Sequence, residues 1–220
     1  MLKNLKIQLG NSKAFTLVEA LVAISILMIA IASPMTLAQK GLSTATLSKD
    51  QMTASFLVQD AIEAVKNIRD QIAVSATGGD WLNGTVLNEC ICTGNTCDFD
   101  LPSTLEFCII DAARIWPRSL TLDGPIQPGV PSNAKLKITY NLLTDGTKQF
   151  LKYDYDNTLS SCGSVPGPCS EDSKFSRYIN IKKTSNPDEA VINVRVEWNS
   201  AQGVQTIDVQ DFIYNYSENL

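Results

Sequence analysis

The chain has 220 residues, 44% hydrophobic and 19% charged, which suits one core-bearing domain plus an anchor and excludes a wholly disordered or wholly membrane-embedded chain. A formal net charge of −5 supplies no basic surface to release phosphate counterions, so bulk nucleic-acid binding is disfavoured. Histidine is absent, and with it the commonest general base, the commonest zinc ligand and the Ser-His and Cys-His nucleophile pairs, which argues against an enzyme.

Met1 to Ala14 carries Lys3, Lys6 and Lys13 and no acidic residue. Phe15 to Ala32 is apolar with one charge, Glu19, and no charged residue occurs from Ala20 to Gln39. About 20 apolar residues cross ~30 Å of hydrocarbon as a helix, and the flanking lysines put the N-terminus in the cytoplasm and the remainder outside. An ordinary secretory signal peptide would share the lysines and the apolar core, but it gives Glu19 no purpose and requires a cut inside a continuing helical pattern. A permanent single-span anchor predicts the same topology without processing.

Apart from Pro34 and Gly41, nothing between Phe15 and Gln71 breaks a helix strongly. Leu47, Ala54, Val58, Ala61, Ile62, Val65, Ile68 and Ile72 recur at spacings of three, four and seven, while Asp60, Glu63, Lys66, Arg69 and Asp70 fall mostly off that stripe. A helix over this whole span would be roughly 85 Å long. Pro34 is expected to kink it or melt it locally, because its ring clashes with the carbonyl four residues back.

Thr77-Gly78-Gly79 ends the helical region and opens an Asn-, Gly-, Thr- and Cys-rich stretch to about Pro102, read as irregular chain pinned by cysteines. Leu136, Ile138, Tyr140 and Leu142 then alternate, Asp145-Gly146 turns, and Gln149 to Tyr155 returns as a hairpin. Ser160 to Ser173 reads as a loop holding Cys162 and Cys169, and Arg177 to Lys183 as a short strand. Ile192, Val194, Val196 and Trp198 alternate strictly, Asn199 to Gly203 turns, and Val204 to Tyr216 runs back with a parity slip near Gln210 that a bulge would explain. The class is α+β, a long N-terminal helix on a mainly antiparallel sheet.

The six cysteines, Cys90, Cys92, Cys97, Cys108, Cys162 and Cys169, lie downstream of the apolar segment, where an exported domain is oxidised, and an even count suits disulfides. Fifteen pairings are open; Cys162 with Cys169 is favoured because a short Gly/Pro loop closes at little entropic cost. A four-thiolate zinc site on Cys90, Cys92, Cys97 and Cys108 lacks two-residue knuckles. Asp154-x-Asp156-Asn157 hints at calcium but has no following Gly or terminal Glu, and reads as a solvated strand end. No metal and no cofactor is expected. Asn83-Gly84-Thr85 and Asn215-Tyr216-Ser217 match the glycosylation sequon without being assigned as sites. Trp81, Trp116 and Trp198 read as core rather than as an adhesive surface.

The junction Lys13-Ala14-Phe15-Thr16-Leu17-Val18-Glu19, set directly before the apolar helix, resembles the prepilin peptidase site of type IV pilins and pseudopilins. The resemblance implies cleavage between Ala14 and Phe15, N-methylation of Phe15, and a role for Glu19, the fifth mature residue, in assembly. Ala14 departs from the glycine usual in the family. The run Ser55 to Asp70, with its Ala-Ile-Glu-Ala-Val, and the ends Val-Arg-Val-Glu-Trp198 and Asp211-Phe-Ile-Tyr-Asn-Tyr216 are similar, more loosely, to V-type minor pilins. The implied organisation is a leader over 1–14, a transmembrane and assembly half of the helix over 15–39, and an extracytoplasmic pilin-like domain over 40–220. The implied partners are other pilin subunits, the prepilin peptidase/methyltransferase and the inner-membrane assembly machinery. The implied place is the inner membrane as a single-pass protein and then an extracellular filament, as a minor pilin of a type IV pilus. A pseudopilin of a type II secretion system, or a membrane-anchored adhesin or DNA-uptake receptor, are the alternatives.

Overall fold

The computed structural model describes residues 16–74, 81–82, 86–100, 106–110, 126–128, 134–155 and 159–215. They contain one α-helix, α1 (Leu17–Val74), two short 3-10 helices (Val86–Cys90 and Gly94–Cys97) and eight strands, an α+β fold with a mainly antiparallel sheet. The chain forms two compact units, one ending at Leu47 and one beginning at Ser48. In the first, the apolar residues of α1 from Leu17 to Leu42 are all largely exposed. The helical backbone continues unbroken through Pro34, so the local melting expected there does not occur. A proline can be carried inside a helix when the single lost hydrogen bond is outweighed by propagation on either side.

In the second unit α1 buries one stripe, Ala54, Leu57, Val58, Ala61, Ala64, Val65 and Ile68, with Ile62 and Ile72 packed at its border. The opposing layer consists of β1 (Ile91–Cys92), β2 (Cys108–Ile110), β3 (Ile126–Pro128), β4 (Lys135–Leu142), β5 (Lys148–Asp154), β6 (Gly167–Lys183), β7 (Glu189–Ser200) and β8 (Gly203–Tyr214). Alternate residues of β6 and β7, Phe175, Ile179 and Ile181 with Ile192, Val194, Val196 and Trp198, meet the helix stripe. Each such side chain, fully buried, contributes about 1.5–3 kcal/mol of transfer free energy. The indole N–H of Trp198 has no acceptor among the described residues, while that of Trp81 donates to the Pro187 carbonyl at 3.0 Å.

The 17-residue β6 organises the sheet, because its first half pairs with β4 and its second half with β7, β2 and β1. The stretch Gly167 to Ser173 is therefore strand and not loop, which corrects the sequence reading. Its residues Gly-Pro-Cys-Ser-Glu-Asp-Ser carry no apolar alternation, so only the ladder to β4 makes them a strand. β1 runs parallel to β6, the one exception to antiparallel pairing among the described strands.

β7 and β8 keep one uninterrupted register from Ser200 opposite Gly203 to Glu189 opposite Tyr214. The bulge expected near Gln210 is absent. Ile207, Val209 and Ile213 face the core, whereas Val204 and Phe212 are simply apolar residues on the exposed face. The irregularity lies instead in the β4–β5 hairpin, where Thr139 opposes Lys152 and Tyr140 opposes Phe150, leaving Leu151 as the extra residue. Its turn is closed by Leu143 and Thr147, with Asp145 accepting from the Thr147 N–H at 2.8 Å and Gly146 at φ 83°.

Among the described residues three ion pairs join helix to sheet: Asp50 to Lys174, Asp60 to Arg177 and Lys66 to Asp211. In the central one Arg177 is buried while Asp60 is half exposed. Arg177 donates to the carbonyls of Leu57 and Ile110 at 3.1 and 2.7 Å, to Asp60 at 2.8 Å and to the Tyr155 hydroxyl at 3.3 Å. Burial alone would lower its proton affinity, but Tyr155 and Asp60 outweigh it and the guanidinium stays charged. On the other face, Arg195 grips Asp208 with two hydrogen bonds of 2.6 and 2.7 Å, reaches Asp100 at 2.8 Å and stacks 5.1 Å from the Phe99 ring. It thereby pins the end of the Cys92–Cys97 loop to the sheet.

Candidate processing and assembly site

Thr16 begins the described chain and caps α1. Its hydroxyl accepts from the Glu19 N–H at 3.3 Å, and its carbonyl accepts from the Ala20 N–H at 3.2 Å. This satisfies one of the donors that every helix leaves open at its start. Thr16-x-x-Glu19 is the sequence pattern of a capping box, a signal that reading the segment only as a cleavage motif overlooks. Glu19 thus sits in the first turn, where the helix dipole favours an anion.

Glu19 is exposed and makes no ion pair among the described residues. Around it Leu17, Val18, Leu21, Val22 and Ile24 are 52–77% exposed, so a lone carboxylate stands in a sleeve of hydrocarbon. The helix is long and apolar enough to cross a membrane. Two of its hydroxyls are satisfied within the helix, because Ser25 donates to the Leu21 carbonyl at 2.8 Å and Thr36 to the Ser33 carbonyl at 2.8 Å.

Residues 9–33 match the family model of the prokaryotic N-terminal methylation motif. Over these residues the chain is type IV prepilin-like. Its motif is that of type IV pilin-like or pseudopilin subunits, which are structural and are processed by a prepilin peptidase before assembling with other pilins. No curated protein and no solved structure matches the chain.

The other residues singled out from the prepilin-like sequence are scattered through the fold. Ala14 and Phe15 lie outside the described residues, as do Trp116, Asp156, Asn157 and the Asn83-Gly84-Thr85 sequon, and Asn215 is described without the rest of its own. Pro34 is interior to α1. All six cysteines are joined, Cys90 to Cys108, Cys92 to Cys97 and Cys162 to Cys169, so no thiolate is left for zinc. Asp154 is buried, accepts from Thr139 at 2.9 Å and pairs with Lys152 at 2.9 Å, which makes it a packed strand residue rather than a solvated end. Trp81 and Trp198 are core.

Arg177 is what sequence reasoning missed. A charged residue in an alternating stretch reads as solvent-facing, and only the three acceptors and the Tyr155 hydroxyl supplied by distant segments make its burial tolerable.

Proposed function

We propose that the chain is a structural subunit of a type IV pilus or a related filament, of the minor-pilin kind. The leader 1–14 is cut between Ala14 and Phe15, Phe15 is N-methylated, residues 15–39 hold the subunit in the inner membrane with a cytoplasmic N-terminus, and the 40–220 domain stands outside. The inner-membrane machinery then draws the subunit into the filament. The observation that supports this most is a methylation motif laid over an exposed apolar helix that carries one unpaired acid, Glu19.

Cleavage creates the missing counter-charge. Before the cut the Phe15 nitrogen is a neutral amide; afterwards it is an amine with a pKa of about 7.7–8.0 when unmodified, mostly cationic at neutral pH. A charge near the centre of a membrane helix costs about 2.5–3.5 kcal/mol. In an apolar bundle of helices, Glu19 of one subunit and the amine of a neighbour relieve each other, which sets register between subunits.

Glu19→Val tests the reading. The variant should be cleaved, exported and folded yet incorporated poorly into filaments. Normal incorporation at wild-type membrane levels would refute the role and leave a simple anchor. A pseudopilin shares the motif and the assembly chemistry, and the machine with which the subunit co-purifies separates the two.

A further inference from the structure

In the sheet of the second unit β1, β3, β5 and β8 each pair with a single neighbour among the described strands. Such edges invite a further strand, and proteins blunt them with short length, lysines or bulges. β1 and β3 are two and three residues long. β5 carries Lys148 and Lys152 and the bulge at Leu151. β8 has none of these devices: it runs 12 residues, holds no lysine, arginine or proline, and keeps one uninterrupted register against β7. Its two acids are not loose charges, because Arg195 grips Asp208 and Lys66 holds Asp211.

Parity decides which backbone groups of β8 are open. A strand residue aims its N–H and C=O to the same side, and successive residues alternate. Odd positions face β7, as Asn215 shows by continuing the register and donating to the Asp188 carbonyl at 2.9 Å. Even positions face outward, and side chains close the two ends of their row: Asp211 accepts from the Phe212 N–H at 2.8 Å, and the Gln205 amide donates to the Val204 carbonyl at 3.3 Å. Between these ends the outward N–H and C=O groups of Thr206, Asp208 and Gln210 have no partner among the described residues, and all three residues are exposed. The row is a template for one more strand.

We infer that the open edge of β8 takes an extended segment of a different pilin-like subunit as an added strand, hydrogen-bonded to Thr206, Asp208 and Gln210. The row sets the partner's chemistry: an extended backbone of about five residues supplies the alternating groups, and no acid stands opposite Asp208. A second copy of this chain does not fit. β8 laid antiparallel on β8 about its open centre sets Asp208 against Asp208, β5 is blunted by its lysines and bulge, and β1 and β3 are too short. The inference rests on the proposed filament role, in which this chain is a minor subunit among others, and adds the surface through which a neighbour joins it.

The test compares amide hydrogen exchange, read residue by residue, in the full chain solubilised in detergent and in purified filaments. In the lone subunit Thr206, Asp208 and Gln210 should exchange freely, while Gln205, Ile207 and Val209, bonded to β7, are protected. In filaments the three even amides should slow by at least about tenfold and the alternation should vanish. Subunits present in filaments with these three amides still exchanging freely overturn the inference. Gln210→Pro removes one outward donor and no bond to β7, so it should reach wild-type membrane levels and be incorporated at least about tenfold less, whereas Gln210→Ala is incorporated normally. Incorporation of Gln210→Pro at the wild-type level also overturns it. The exchange comparison needs only the wild-type chain, so it decides even where the proline variant fails to fold. A wild-type chain missing from filaments sinks the filament role itself, and this contact with it.

Discussion

The guanidinium of Arg177, on β6, lies 2.8 Å from the carboxylate of Asp60, on α1, with side-chain exposures of 2% and 48%. The strand supplies a cation that cannot reach water, and the helix supplies the charge that makes this bearable. Removing one partner of a fully buried pair costs about 3–5 kcal/mol, and the half-exposed position of Asp60 sets the loss here at or below the low end of that range, whereas replacing both with apolar groups is often neutral.

Asp60→Ala should therefore destabilise the detergent-solubilised chain by about 1–3 kcal/mol in denaturant unfolding. Asp60→Ala combined with Arg177→Met should recover part of the loss. A single variant within about 0.5 kcal/mol of wild type would show that the carbonyls of Leu57 and Ile110 suffice to hold the cation.

Lys66 holds the Asp211 carboxyl below its ordinary value, chiefly by donating a hydrogen bond at 2.6 Å. A carboxyl depressed in the folded state takes up its proton more readily when unfolded. The contribution is thus complete above the ordinary value of 3.8 and is lost as pH falls through the depressed one. Asp211→Asn should make little difference near pH 7 beyond the small worth of a half-exposed pair, but its stability should fall less steeply below about pH 4. Parallel acid-unfolding slopes for the two proteins would exclude the linkage.

Non-reducing peptide mapping should recover Cys90–Cys108, Cys92–Cys97 and Cys162–Cys169 with no free thiol. Replacing Cys162 and Cys169 together by Ser should cost about 2–3 kcal/mol and loosen one loop, leaving α1 and the β7–β8 ladder protected in hydrogen exchange. Global loss of protection would mean that this bridge holds more than its own loop.

Replacing Ala14 by a bulky residue should leave the precursor in the membrane, 14 residues longer than the mature chain. Ala14→Gly should be processed at least as well as wild type. Unchanged processing of the bulky variant, seen by gel mobility, would favour an ordinary signal peptide.

How much of this was legible depended on whether apolar residues mark the element. The buried stripe from Ala54 to Ile68 and the alternation from Ile192 to Trp198 announce themselves by period, and the structure pairs them as layers. The first half of β6 does not, since its polar residues belong to the sheet only through β4. β1, β2 and β3 are two or three residues long, too short for any period to register. Phe212 and Val204 misled for a related reason: apolar side chains on an outer face mimic a change of parity, and only the register of β7 against β8 resolves them. At the N-terminus the motif was plain, but the capping role of Thr16 was hidden beneath it.

The filament role is tested most directly by the mass of the N-terminal peptide from purified filaments. The account predicts a chain that begins at Phe15, carries one added methyl on its terminal nitrogen, and has shed Lys3, Lys6 and Lys13 so that its formal charge falls from −5 to −8. A chain that retains Met1 to Ala14, or one that begins downstream of Ala32, would contradict it.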